Sequence, residues 1–256
     1  MTTKVKLDHL ARVEGHGGIT VSVDGDKISE VQFDIFEGAR LFEGLMVGRS
    51  YEDVAQIVSR ICAICSAGHA LTAIQAIENA FGVEVSHRVQ LLRDLQEQGE
   101  NIESHALHLF LLALPDFLGY PSAIALAAVN PEAVKLGLRL KKLGNTIQEV
   151  VGGRAVHPVN AVVGGYGKLP TTDDLIELRS ALEQGRSDSD KMVDIFAAID
   201  VPDFSEAPTV YAALESASPN FSLFGERIAL STGEKFAIAD YRQLTNERSV
   251  RHSHAK

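Results

Sequence analysis

From residue 50 to residue 199 the chain is a succession of runs with apolar residues at helical spacing, each opened by a short polar residue and closed by glycine or proline. That punctuation commits most of the chain to separate helices joined by short turns. Ser50 reads as an N-cap, with Asp53 at capping-box spacing. A helix over 67–81 is closed by Gly82. Ser86 then caps a long apolar-faced helix carrying Val89, Leu92, Leu95 and Ile102, which ends near Pro115. Asn130-Pro131 opens a helix that Gly152-Gly153 ends, because Asn caps and Pro suits the first helical position. Residues 154–167 read as loop. Thr172, followed by Asp173 and Asp174, opens a helix towards Ile199 with its acids at the positive end of the dipole. A short helix is expected over 40–47.

Outside this region the period changes to two. Ile19, Val21 and Val23 alternate with polar residues, Asp24-Gly25-Asp26 signals a turn, and Ile28, Val31, Phe33 and Ile35 follow, the pattern of a hairpin. Beyond Pro208, residues 221–223 and 228–230 precede Ser231-Thr232-Gly233, with Phe236 and Ile238 after it, and these too read as β. The predicted class is α+β, predominantly α: a long helical bundle with small β elements near the N-terminus and the C-terminus. No internal repeat or linker divides residues 1–256, which read as a single domain.

Composition sharpens this. With 45% hydrophobic and 23% charged residues the chain can bury a sizeable core. A net charge of −10, with acidic residues spread along the chain, argues against nucleic acid or an anionic membrane surface as main partner. No apolar run reaches the roughly 20 residues of a membrane-spanning helix, since 106–114 is interrupted by His108 and stopped by Pro115. The first ten residues carry no secretory pattern, so a cytoplasmic protein is expected. Only two cysteines are present, which excludes a disulfide framework and brings metal or redox chemistry forward.

Those cysteines form Cys62-x-x-Cys65-x-x-x-His69. Two thiolates three residues apart can grip one thiophilic metal, and a histidine four residues on returns to the same helical face. Two thiolates and one imidazole leave a tetrahedral zinc site one ligand short. A redox dithiol or half of a structural zinc site fits the spacing as well, whereas a thioredoxin-like motif would need a strand where 51–61 reads as helix. The cluster RVEGHGG at 12–18 reads either as a salt-bridged turn or as a place where a buried Glu14 carries protons. Glu43 is either a surface carboxylate or a ligand for a hard cation. Arg154-Ala155-Val156-His157-Pro158, between glycine pairs, is a loop able to line a site or a rigid turn with a capping histidine. His105 and His108 read as core or interface histidines.

Together these segments resemble the large (alpha) subunit of nickel–iron hydrogenases, in the cytosolic multisubunit group that includes the sulfhydrogenases. The resemblance rests on RVEGHGG at 12–18, FEGARLFEG at 36–44, RICAICSAGH at 60–69, SHALHLFLLALPDFLG at 104–119 and GGRAVHPVNAVVGG at 152–165, five motifs in the family's order. Ala63 stands where the family more often has glycine. The resemblance implies a nickel–iron centre whose iron carries cyanide and carbon monoxide, with Cys62 a terminal nickel ligand and Cys65 a bridging thiolate. It makes His69 a hydrogen-bond donor to a cysteine sulfur, Glu14 the first proton relay and Glu43 a ligand of a magnesium-type site. Arg60 and His157 become supporting residues around the cofactor. The implied partners are a small subunit with iron–sulfur clusters and flavin-bearing subunits that reduce NAD(P), and the implied substrate is dihydrogen.

The family also has a second cysteine pair in a D-P-C-x-x-C motif and a terminal histidine, neither of which occurs in these 256 residues. The resemblance therefore implies the N-terminal portion of a large subunit. Two competing expectations are a metal-free scaffold related to the quinone-site subunit of respiratory complex I, and a small zinc or dithiol protein. Nickel plus iron, no metal, or zinc would separate the three.

Overall fold

A computed structural model describes residues 2–200, 208–216, 224–245 and 249–254. The chain forms two compact units, one of residues 1–48 with 237–256, the other of residues 49–236.

In the first unit, β1 (Thr2–Leu7), β2 (Gly17–Asp24) and β3 (Lys27–Ile35) form an antiparallel sheet in the order β1-β2-β3. The hairpin joins β2 to β3 through Gly25, whose φ of 60° is the left-handed geometry the Asp-Gly turn signal predicts. Val21 stands opposite Val31 and Ile19 opposite Phe33, and a register shift follows Ser22. The strand β1 is an addition to the expected hairpin. Its charged and apolar residues alternate, but all six are exposed, so its pattern carries no buried face. α1 (Ala39–Met46) follows, within a residue of the expected 40–47. Ser253 pairs in parallel with Ile35, and His254 N–H donates to the Ile35 carbonyl at 2.8 Å.

The second unit is helical. α2 (Tyr51–Val58), α3 (Ser66–Phe81) and α4 (His87–Leu107) are followed by a π-helical turn over His108–Ala113, then α5 (Leu114–Phe117), α6 (Ala123–Val129) and α7 (Pro131–Gly152). The minimal hairpin of β4 (Ala161–Val162) and β5 (Gly165–Tyr166) interrupts the loop expected at 154–167, and α8 (Thr172–Ala197) comes next. The predicted caps form: the Ser50, Ser86 and Asn130 side chains accept backbone N–H groups of their helices, and Gly82 and Gly153 end theirs at φ 66° and 84°. At α8 the cap is Thr171, which forms a capping box with Asp174. The long helix does not run unbroken to Pro115. Proline has no N–H to donate and crowds the carbonyl four residues back, and the backbone widens there into the π turn.

The main core gathers Ala106, Phe110, Leu114, Leu126, Val134, Leu136 and Leu140, with Phe196 of α8 edge-on to Phe110 at 5.4 Å between ring centres. α4 and α7 touch backbone to backbone. A Cβ on Gly144 would lie 2.5 Å from the Gly99 carbonyl and 2.5 Å from the Glu103 nitrogen, so only glycine permits this approach. The inward face of α4 is not the apolar stripe expected. Leu92 is buried, but Val89, Leu95 and Ile102 are only half-buried, and the interior instead receives Arg93, Gln96, Gly99, Glu100 and Glu103. Nor are His105 and His108 in the core: both are exposed, and His105 Nδ1 reaches the Asn101 carbonyl at 2.7 Å.

Near the end of the second unit, β6 (Ala212–Glu215) pairs antiparallel with β7 (Arg227–Leu230), and β8 (Lys235–Ala237) completes the sheet. Residues 221–223, expected as strand, lie outside the described residues, and Ile238 begins a 3-10 helix rather than continuing a strand. Among the described residues no helix is long and apolar enough to cross a membrane.

Candidate metal centre

The cysteines occupy the segment between α2 and α3. Cys62 is buried and Cys65, half-buried, sits at the N-cap of α3. The Cys65 backbone N–H donates to Cys62 Sγ at 3.2 Å, turning that sulfur towards its neighbour. His69 N–H donates to the Cys65 carbonyl at 3.2 Å, so helix has begun by then and His69 follows Cys65 by one turn, as the spacing predicts.

Electrostatically the pair is suited to a cation. Burial, the adjacent Cys62 sulfur and the Glu100 carboxylate push the Cys65 thiol up to about 12. A Cys65 thiol so placed ionises only beside compensating positive charge, which a bound thiophilic metal supplies. The residues present therefore fit one half of a thiolate-rich metal site. Among the described residues no three His, Cys, Asp or Glu side chains converge on a metal position, so any further ligands come from elsewhere.

Polar side chains that sequence reasoning did not single out fix this segment. Glu100, buried on α4, accepts from the amides of Ala67 (2.6 Å) and Gly68 (3.0 Å) and so caps the first turn of α3 directly behind Cys65. Burial and the neighbouring Glu97 push Glu100 up to about 7, against the lowering effect of those two amides. Glu78, on α3, receives a two-pronged Arg93 guanidinium at 2.7 and 2.6 Å and the Gly164 amide at 2.7 Å. Glu103 accepts from Lys141 and Gln148, both at 2.6 Å, tying α4 to α7. The available signal was the recurrence of polar residues at 93, 96, 100 and 103 around a glycine, a helical stripe that is polar rather than apolar.

The other candidates are distributed as follows. His157 is half-buried and bonded to both flanks of the cysteine segment, through Ser59 and Ser66. Arg60 lies beside them but is exposed. Glu14 and Glu43 belong to the first unit, where both are exposed, Glu43 beside Arg40 at 3.4 Å. Cys62, Cys65, His69 and His157 thus lie in the second unit, His157 bonded to the residues that flank the cysteine segment, and the two carboxylates lie in the other unit.

Comparison with known proteins follows the same lines. Residues 40–142 match the family model described as nickel-dependent hydrogenase. The chain is 37% identical over 252 residues to sulfhydrogenase 1 subunit alpha of Pyrococcus furiosus, covering 98% of this chain and 59% of that protein. It is 42% identical over 194 residues to sulfhydrogenase 2 subunit alpha of the same organism, covering 76% and 47% respectively. The structure superposes on that of an NAD+-reducing NiFe-hydrogenase in the H2-reduced state with a TM-score of 0.78 at 30% identity, over 98% of this chain and 60% of that one. The chain therefore spans about six-tenths, or less, of the length of these relatives. Family model, relatives and fold agree with the five motifs, and over residues 40–142 the chain matches the nickel-dependent hydrogenase family.

Proposed function

We propose that this chain is a portion of a nickel–iron hydrogenase large subunit and acts in the reversible heterolytic cleavage of dihydrogen. The observation that carries the reading is the Cys62–Cys65 pair, Cys62 buried and Cys65 half-buried, with one sulfur bonded to the other residue's amide. Cys62 and Cys65 would hold the metal, and the remaining two thiolates of a four-thiolate centre come from outside these 256 residues. When bound, a nickel–iron centre with cyanide and carbon monoxide on iron supplies Lewis-acid activation of dihydrogen and a route for its two electrons.

The chain's own residues do the rest. The Cys65 N–H orients Cys62 Sγ by donating to it, and His69 would add a hydrogen bond to a cysteine sulfur, fixing the direction in which the thiolates face the metal. The Glu14 carboxylate accepts the released proton and passes it outward. Glu43 serves a magnesium-type hard-cation site, a role suited to its all-oxygen donor group. Arg60 stands by the cofactor as a supporting cation. The partners in this reading are a small subunit bearing iron–sulfur clusters and flavin-containing subunits reducing NAD(P), in the cytoplasm.

The test is exchange between deuterium gas and water protons by the native assembly containing this chain. Glu14→Gln, which keeps shape and removes the proton acceptor, is expected to slow exchange by about 100-fold with nickel content unchanged. Unaltered exchange would remove Glu14 from the relay, and no exchange by the unsubstituted assembly would contradict the whole reading.

A further inference from the structure

The loop after α7 is tied down at base and tip. At the base, the amides of Val159 and Asn160 donate to the Gly152 carbonyl at 2.8 and 3.0 Å, and Asn160 Nδ2 donates to the Val151 carbonyl at 3.1 Å. The last carbonyls of α7, which lack partners inside the helix, are satisfied by this loop. At the tip, the His157 backbone N–H donates to Ser66 Oγ at 3.0 Å, and His157 Nδ1 lies 2.8 Å from the Ser59 carbonyl oxygen. A carbonyl only accepts, so Nδ1 carries the proton.

Ser59 ends α2 and Ser66 begins α3; they are 0% and 1% exposed, and both cysteines lie on the six residues strung between them. Gln56 adds a second tie from α2, its Nε2 donating to the Pro158 carbonyl at 3.2 Å. His157 makes its two bonds at φ 55°, a left-handed backbone that is uncommon for any residue other than glycine.

We propose that His157 is a positioning residue: its ring and its backbone amide join the end of α2 to the start of α3 and so set the separation at which Cys62 and Cys65 present their sulfurs. The final consequence, an effect on metal retention, rests on the reading of the cysteines as a metal-holding pair, whereas the clamp itself does not. Removing the ring should loosen the cysteine segment first and the metal second.

Two readouts on the native assembly test this: amide hydrogen exchange of the peptide covering 59–69, and nickel per chain. His157→Ala is expected to speed exchange by about tenfold, the scale of one lost hydrogen bond, and to lower nickel content. His157→Asn is the conservative variant. Its side-chain N–H stands where Nδ1 stood, asparagine tolerates the left-handed backbone, and exchange should return to within about twofold of the parent, with nickel retained. His157→Gln, whose amide falls where Nε2 was, should behave like alanine. His157→Gly, which relieves the backbone but lacks the donor, should do the same, separating strain from hydrogen bonding.

Exchange unchanged in His157→Ala overturns the clamp. Rescue by glutamine but not asparagine also overturns it, by placing the function on Nε2. Nickel unchanged while exchange rises overturns the positioning role. An assembly without nickel that still shows the alanine–asparagine contrast in exchange supports the clamp and contradicts only the metal reading.

Discussion

If Cys62 and Cys65 hold nickel as proposed, Cys65→Ser should strip the assembled protein of nickel and, with it, of all dihydrogen chemistry. The substitution is nearly isosteric, so the first turn of α3 keeps its cap on Glu100 and its place in the fold. What changes is the donor. A serine hydroxyl stays protonated in a buried setting and is a hard oxygen where a thiophilic metal selects soft sulfur. Loss of a residue that only supports a ligand already costs about 10–100-fold in metal affinity, so loss of the ligand is expected to exceed about 100-fold. Nickel determination on the purified assembly, with circular dichroism confirming unchanged helix content, checks this. Nickel retained at parent stoichiometry would remove Cys65 from the centre.

The second large effect is on stability. Arg93→Met should destabilise the chain by about 3–5 kcal/mol, because Glu78 would be left charged in the interior with only the Gly164 amide. Breaking one side of a buried pair costs far more than replacing both, so Glu78→Leu added to Arg93→Met is expected to recover most of the loss. The pH dependence has a definite sign. Burial alone would raise the Glu78 carboxyl, but the Arg93 guanidinium and the Gly164 amide outweigh it and hold the group below its ordinary 4.5. Stability from this site is therefore present above about pH 4.3, the unfolded carboxyl range, and is lost as pH falls through the lower folded value. In Arg93→Met the balance reverses, since the unpartnered carboxyl is raised, and the deficit against the parent should be largest at neutral pH and shrink on acidification. Urea unfolding at pH 7 and pH 5 measures both. Equal deficits at the two values would contradict the charge argument.

What the sequence reveals and what it hides follow from the range of the forces involved. Caps are local: Ser50, Ser86, Asn130, Gly82 and Gly153 each act on residues within a turn, and each helix end is legible from its own neighbours. The C-x-x-C spacing and its return through His69 are local too. The interior of α4 is not, because Arg93, Glu100 and Glu103 are admitted to the core by partners 15 to 69 positions away, and taken singly each reads as surface. His157 meets Ser59 across 98 residues, which no periodicity encodes. The strand Ala212–Glu215 escapes for another reason, since three of its four residues are exposed and it has no apolar face to alternate. Recognition of the family came from five motifs in order, whereas the polar framework that holds the cysteines became visible only in the fold.

The central claim, that this chain contributes two thiolates to a nickel–iron centre, is tested most directly by infrared spectroscopy with nickel and iron analysis of the native assembly. The account predicts bands of carbon monoxide and cyanide bound to iron, with about one nickel per chain. A folded assembly without such bands, holding zinc or no metal at Cys62 and Cys65, would contradict it.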